Sequence, residues 1–177
     1  KMTSVAKSHW TTANLDYIQK TFDGSPARVI VERISATNGD LTEALARLKT
    51  KKWNYIAVPG ATSDEITELA TWIKNNRASG KTFKAVLPKA ADNEGIVNFA
   101  TDDILVGKKT YSTEEYCCRI AGILAGTDLD NSATYTVLSE VSGITESTDP
   151  DADVESGKLI LINDGEHIKL GRAVNSL

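Results

Sequence analysis

Apolar positions recur at helical spacing in WTTANLDYIQKTF, where Trp10, Leu15, Ile18 and Phe22 fall near one face, which predicts a helix over 11–22. DGSP (23–26) breaks that pattern, and ARVIVERI (27–34) follows with the β-branched composition of a strand, closed by a turn at Asn38-Gly39-Asp40. Asp40 with Glu43 three positions on suits a helix N-terminus, and Leu41, Ala44, Leu45 and Leu48 supply the apolar stripe of a helix over 40–51. NYIAVPG (54–60) is the next strand. Ser63 or Asp64 then caps a helix carrying Ile66, Leu69, Ala70 and Ile73, which Gly80 ends, and FKAVLP (83–88) is a further strand.

Strands alternating with helices imply βαβ crossovers, hence parallel neighbours with helices packed on the sheet. Beyond Pro88 the alternation loosens. GIVNFATDDILVG has the form strand, tight turn at Asp102-Asp103, strand, and STEEYCCRIAGILAG is the most apolar helix of the chain. Its Gly122 and Gly126, beside Ala121 and Ala125, let another backbone come close, which assigns this helix to the core. From residue 127 the pattern turns to β: SATYTVLSEVSGITES, an acidic loop TDPDADVESG, then KLILINDGEHIKL, where Asn163-Asp164-Gly165 between two strand-like runs signals a hairpin. The expected fold is α/β: a mixed, largely parallel sheet flanked by helices and closed by antiparallel hairpin elements toward the C-terminus. Residues 1–177 form one α/β core, with a βα-alternating part over 1–126 and a β-rich closing part over 127–177.

Composition sharpens this. In 177 residues, 41% are hydrophobic, too many for an intrinsically disordered chain and enough for a core. The 20 basic and 24 acidic residues are interspersed and sum to −4, leaving no basic face for a phosphate backbone; no nucleic-acid partner is expected. No apolar run approaches the about 20 residues that cross a bilayer, and KMTSVAKSHW lacks the apolar core of a signal peptide, so no membrane partner is expected either. Cys117 and Cys118 are adjacent on a helix and give no disulfide framework, which fits synthesis in a reducing cytoplasm. Lys1 precedes the lone Met2, as in a piece of something longer.

Candidate chemistry is sparse. VPGATSDE joins a strand to a helix, where phosphate loops sit, but one glycine and neither phosphate-loop motif leave an ordinary capped turn. Asp149, Asp151 and Asp153 have the spacing that opens a calcium loop, yet Val154 stands where its glycine belongs and Ile160 where its bidentate Glu belongs; a solvated acidic loop is the reading adopted. His9 and His167 have no ligand at i+3 or i+4, no serine sits in a G-x-S-x-G elbow, and Cys117 and Cys118 beside Arg119 are read as buried packing. No catalytic, cofactor or metal residue is assigned, and the chain is not expected to be an enzyme. The alternative of a small-molecule-binding α/β module would use the loops at strand C-termini, Gly60–Ser63 and Pro88–Asn93.

The stretch EEYCCRIAGILAGTDLDNSATYTVLSEV, with its Tyr-to-Ala-Gly helix and A-G-x-x-x-x-x-S-A-T-Y, and then KLILINDGEHIKLGRAVNSL, a hairpin leading to G-R-x-V-N-S-L, resemble the sheath protein of contractile phage tails. The likeness is greatest to Gram-positive prophages and phage-tail-like bacteriocins. WNYIAVPG and VIVERI are compatible with that family's α/β core.

The resemblance implies a structural subunit polymerised in stacked rings around an inner tail tube, with a metastable extended state that shortens to drive the tube through a target envelope. Such a polymer needs a heterologous, non-closing interface and two packings of similar free energy. It implies as partners other sheath subunits, the tube protein, and baseplate and tail-terminator proteins, in a virion or phage-tail-like particle assembled in the host cytoplasm. Family members link neighbours through arms that add strands to the next subunit's sheet. The family continues beyond Asn175-Ser176-Leu177 into a further C-terminal domain, so this chain is expected to be an assembly-incompetent central fragment, monomeric or weakly oligomeric. The expected intersubunit edge strands are those of the final hairpin, with Leu159, Leu161, Ile168 and Leu170 facing partly inward.

Overall fold

A computed structural model describes residues 7–34, 41–88 and 92–176. A short 3-10 turn at Lys7–His9 precedes helix α1 (Thr12–Asp23), whose first turn is closed by Thr11 accepting from the Asn14 amide. Helix α2 (Thr42–Lys49) buries Ala44, Leu45 and Leu48, as the apolar stripe requires. The anticipated cap at Asp40 and the turn at 38–40 lie outside the described residues. Helix α3 (Ser63–Ala78) starts one residue earlier than expected. Thr62, not Ser63 or Asp64, is the N-cap, because Glu65 reaches back to the Thr62 amide at 2.7 Å and completes a reciprocal capping box.

Strands β1 (Tyr55–Ile56), β2 (Lys84–Pro88), β3 (Ile96–Phe99) and β7 (Lys158–Leu159) form an all-parallel sheet in the order β1-β2-β3-β7. Period-two alternation splits its side chains between two cores. Ala85, Leu87 and Ile96 join Leu41, Leu45, Leu69 and Ile73 of the α2–α3 layer, while Val86, Val97 and Phe99 join the opposite cluster with Tyr116, Cys117 and Ile120. Those last three belong to helix α4 (Thr113–Gly126), opened by a Ser112–Glu115 capping box. A sheet covered on both faces favours apolar central strands, and β2 and β3 are mostly apolar, with Lys84 at the start of β2 and the buried Asn98 in β3 as the polar positions. Trp53 stacks on Phe83 with centroids 4.1 Å apart and closes one end of the α2–α3 core.

The β-rich part is built on two antiparallel ladders. One has the order β5-β4-β6, from β4 (Asp102–Val106), β5 (Lys109–Tyr111) and β6 (Val141–Thr145); the other pairs β8 (Leu161–Asn163) with β9 (Ile168–Leu170). The expected hairpin at Asn163-Asp164-Gly165 is the β8–β9 turn. The fold class is as the alternation implied: a parallel sheet with helices, closed by antiparallel β elements.

Three local expectations need correction. ARVIVERI joins no ladder among the described residues. GIVNFATDDILVG is not a hairpin: β3 belongs to the parallel sheet and β4 to the antiparallel one. The tight turn falls at Gly107, between β4 and β5, while Asp103 (φ 50°) sits at a register shift inside β4. The acidic loop contains a short helix, α5 (Pro150–Glu155), since Asp149 caps the Ala152 amide at 3.1 Å and Pro150 occupies a first-turn position that needs no donor.

Helix α1 lies directly on α4. Gly24, Gly122 and Gly126 bring the two backbones into contact, so closely that a Cβ on Gly126 would stand 1.9 Å from the Gly24 carbonyl oxygen. A polar clamp holds the same helix to β5: Asp16 accepts from Lys109 Nζ at 2.8 Å and from the Tyr111 hydroxyl at 2.7 Å. Burial opposes charge on Asp16, but these two donors and the Lys109 charge hold its carboxyl below the usual range. The Lys109 ammonium also lies over the rings of Tyr17 and Tyr111, at 4.9 and 4.0 Å from their centroids.

Candidate assembly surface

The C-terminal half of the chain places an exposed apolar strip beside the β8–β9 hairpin. Its construction begins in α4, where Arg119 is 6% exposed yet charged. Arg119 Nε donates to Glu140 Oε1 at 2.6 Å, and the Tyr116 hydroxyl donates to the same oxygen at 3.0 Å. Burial works against ionisation of Glu140, but the guanidinium beside it and the Tyr116 hydroxyl hold its carboxyl below the usual range. Burial, together with the Glu140 charge, pushes the Tyr116 hydroxyl well above the ordinary tyrosine range. This partly buried pair pins the end of the segment that leaves α4 and returns to β6.

Between those anchors the segment runs along β9. Tyr135 N donates to Leu170 O at 2.9 Å, Leu170 N to Thr136 O at 2.8 Å, and Leu138 N to Ile168 O at 2.9 Å. Val137 forms an isolated antiparallel bridge with Lys169. Pinned in this way, the segment turns Ala133 and Leu138 inward and leaves Leu129, Tyr135 and Val137 in solvent, the first fully and the second 62% exposed. Tyr135 adopts φ 62°, a left-handed conformation that a bulky residue takes only where its surroundings impose it.

Of the four edge-strand residues singled out from the sequence, Leu161, Ile168 and Leu170 lie on the β8–β9 hairpin, whereas Leu159 lies on β7 of the parallel sheet. Leu159, Leu161, Ile168 and Leu170 are all buried and contribute to the core shared with α4. On the backbone side, β9 is covered by residues 135–138, whereas β8 has a ladder with β9 alone among the described residues. The hairpin tip is held by Asp164, which accepts from the Glu166 and His167 amides at 3.1 and 2.8 Å and pairs with Lys169, so its carboxyl lies far below the usual range. Leu129, Tyr135 and Val137 were not singled out from the sequence. A run of polar residues around DLDNSATY hides them, and no periodicity marks which apolar side chain remains outside.

The other sequence candidates sit apart from this surface. Asp149 is spent as a helix cap and Asp153 pairs with Lys158 at 2.6 Å, so the three alternating aspartates do not converge. Among the described residues no three His, Cys, Asp or Glu side chains are grouped to hold a metal, and no helix is long and apolar enough to cross a membrane. His9 and His167 are exposed. Cys117 and Cys118 are buried, and burial pushes the Cys118 thiol up to about 12. Gly60–Ser63 forms the turn into α3; part of 88–93 lies outside the described residues.

The family described as phage tail sheath protein central domain matches residues 35–176. The tail sheath protein of Clostridium phage phiCD119 is 35% identical over 176 residues, covering 93% of this chain and 49% of its own length. The phage-like element PBSX protein XkdK of Bacillus subtilis is 26% identical over 148 residues, covering 79% of this chain and 32% of its own. The chain thus spans half or less of the curated relatives it matches.

The crystal structure of the sheath tail protein Lin1278 from Listeria innocua superposes with TM-score 0.72 at 21% identity, over 82% of this chain and 35% of that one. That of the sheath tail protein DSY3957 from Desulfitobacterium hafniense gives 0.72 at 18%, over 82% and 36%. A chain of the anti-feeding prophage baseplate gives 0.66 at 15%, over 98% and 53%. At these identities the structures speak for the fold alone. With most of its length matched by the family and a relative at 35% identity, the chain belongs to the phage tail sheath protein family and carries its central domain.

Proposed function

We propose that this chain is the α/β core of a structural subunit of a contractile tail sheath, which polymerises around an inner tail tube and shortens to drive it through a target envelope. The observation that carries this reading is the family match across residues 35–176, the part of the chain that folds into the two-sided parallel sheet and its β closure. Its partners are other sheath subunits, the tube protein, and baseplate and tail-terminator proteins, in a virion or phage-tail-like particle assembled in the host cytoplasm. No catalytic role is assigned.

Residues 1–177 are in this reading a single α/β core, and its described elements act as one stiff unit. A subunit that moves between two packings needs stiff parts joined by contacts that can be exchanged. The backbone contact of α1 with α4, the Arg119–Glu140 pair and the doubly covered sheet supply that stiffness. The intersubunit surface is the edge around Leu159, Leu161, Ile168 and Leu170. The buried Leu161, Ile168 and Leu170 side chains anchor the hairpin, and Leu129, Tyr135 and Val137 offer apolar area. Taken alone, the chain is monomeric or weakly oligomeric.

Electron microscopy of a longer sheath protein carrying this domain is the deciding experiment. Striated tubes of stacked rings are expected. A parent protein that stays monomeric at high concentration and in lysate would overturn the proposal.

A further inference from the structure

The end of the α2–α3 layer where both helices finish is basic. Lys49 closes α2, Lys51 and Lys52 follow in the loop that enters β1, and Lys81 and Lys84 stand at the entry to β2. Phe83 gathers these loops by stacking on Trp53, with centroids 4.1 Å apart, and on Trp72 of α3, at 5.5 Å. The Lys84 amide donates to Asn54 O at 3.1 Å and the Trp53 indole to Leu48 O at 2.9 Å, so the two loops share one face. Lys49, Lys51, Lys52 and Lys81 are exposed, and Lys84 is half-buried over the Tyr55 ring. None of the five belongs to an ion pair among the described residues. A cation in the last turn complements the helix dipole, which accounts for Lys49; the other four stand beyond the helix ends, where a partner of opposite charge relieves their mutual repulsion.

The same layer carries the complement at its other end. Helix α3 has 16 residues and is about 24 Å long. Asp64 stands in its first turn and Glu68 one turn on, and Thr42 Oγ1 donates to Glu68 at 3.5 Å, which brings the start of α2 and its Glu43 to the same end. Asp64 and Glu68 are exposed, and Glu43, with Arg47 3.7 Å away, has 89% of its side chain in solvent. Base and acid therefore lie at opposite ends of one layer. End-on contact between like ends repels. The basic end of one copy on the acidic end of the next attracts, joins two different surfaces, and leaves one of each free to extend the row.

We propose that Lys49, Lys51, Lys52, Lys81 and Lys84 dock end-on against Glu43, Asp64 and Glu68 of a second copy, in a salt-dependent, head-to-tail contact. This surface is distinct from the apolar strip around Tyr135, and it rests on the sheath reading for the setting in which copies stack. Exposed charges give the contact orientation more than strength, and screening over about 8 Å at physiological salt weakens it further as salt rises.

Carbodiimide coupling of this chain tests the contact, because the reagent condenses a lysine amine with a touching carboxylate and takes up the water that is lost. With unlabelled and heavy-isotope-labelled chains mixed, isotopically mixed peptides joining Lys51, Lys52 or Lys81 to Asp64 or Glu68 are expected by mass spectrometry, in a ladder of products beyond the dimer. Their yield should fall about 5-fold or more between roughly 50 mM and 0.5 M salt, measured against the intramolecular Lys109–Asp16 pair, 2.8 Å apart, as internal standard. Lys51→Glu, Lys52→Glu and Lys81→Glu combined, all at exposed positions, should leave the melting temperature unchanged and remove these products. Mixed-isotope products that are absent, that stop at a closed dimer, that survive high salt, or that join these lysines to other carboxylates would each overturn the proposal. The coupling needs no tube, so its failure is separate from a failure of the sheath reading, which electron microscopy decides.

Discussion

A Cβ built on Gly122 would stand 2.2 Å from the carbonyl oxygen of Thr21, so the backbones of α4 and α1 touch with no side chain between them. Gly122→Ala cannot be absorbed by a rotamer change, because the obstacle is backbone. Overpacking of this kind costs roughly 1–3 kcal/mol, and the upper part of that range is expected in urea unfolding. Gly143→Ala is the control. Its Cβ would lie 3.7 Å from the Leu105 side chain, an ordinary contact within a strand, and a change between neutral and about 1 kcal/mol more stable is expected. Equal losses for the two variants would contradict the close α1–α4 docking.

Breaking the Arg119–Glu140 ion pair is costly from the Glu140 end, because Arg119 is buried while Glu140 is partly exposed. Glu140→Ala leaves the Arg119 guanidinium buried without its carboxylate, and a loss of about 3 kcal/mol is expected by denaturant titration. Arg119→Met together with Glu140→Leu removes both charges and should recover a large part of that loss. A double variant as unstable as Glu140→Ala would mean that the charges themselves hold the 127–140 segment.

Stability should fall in acid for a reason with a definite sign. The folded protein holds Glu140 below its ordinary value of 4.5, so the unfolded chain binds the proton more readily. The stabilisation is therefore complete above about 4.5 and is lost as pH drops through the lower folded value. Asp16, Asp153 and Asp164 are displaced the same way from 3.8 and act in the same direction just below it. Glu140→Gln should flatten the upper part of this dependence in thermal melts taken between pH 6 and 3; an unchanged slope would remove Glu140 from the account.

The cysteines should be silent in the native state. Both are buried, and burial holds Cys117 and Cys118 in the thiol form at neutral pH. A thiol reagent at pH 8 should label neither until denaturant unfolds the chain, after which both react. Rapid native labelling, followed by mass spectrometry, would show that α4 opens locally.

Substitutions in the exposed strip should separate folding from assembly. Leu129→Asp and Tyr135→Asn alter side chains in solvent, and asparagine accepts the left-handed backbone at 135. Each should shift stability by no more than about 0.5 kcal/mol. In a full-length sheath protein the pair should reduce tube formation seen by electron microscopy. Normal tubes from the double variant would place the intersubunit contact elsewhere.

Much of this molecule was written locally. The stripe Leu41, Ala44, Leu45 and Leu48 made α2, the reciprocal Ser112–Glu115 cap opened α4, and Asn163-Asp164-Gly165 turned the final hairpin, because each depends on neighbours within a few positions. The parallel sheet followed from strand–helix alternation, since the crossover rule converts order along the chain into order in space. The resemblance of the final third to sheath proteins was legible for another reason: family motifs are read along the chain.

Other features were decided only when distant segments met. Whether β3 turns back on itself or hands the chain to a second sheet depends on the pairing of β4 with β6, some 40 positions away, which no local pattern encodes. VIVERI has every local property of a strand but gains a ladder only if an edge presents itself. The surface strip arose in the same way. Leu129, Tyr135 and Val137 are ordinary apolar residues in the sequence, and it is the anchoring of 135–138 on β9 and of Glu140 on Arg119 that sends them outward. Local propensity and periodicity determined the elements and their order; partner choice and exposure are properties of contacts between segments, and only the tertiary structure could settle them.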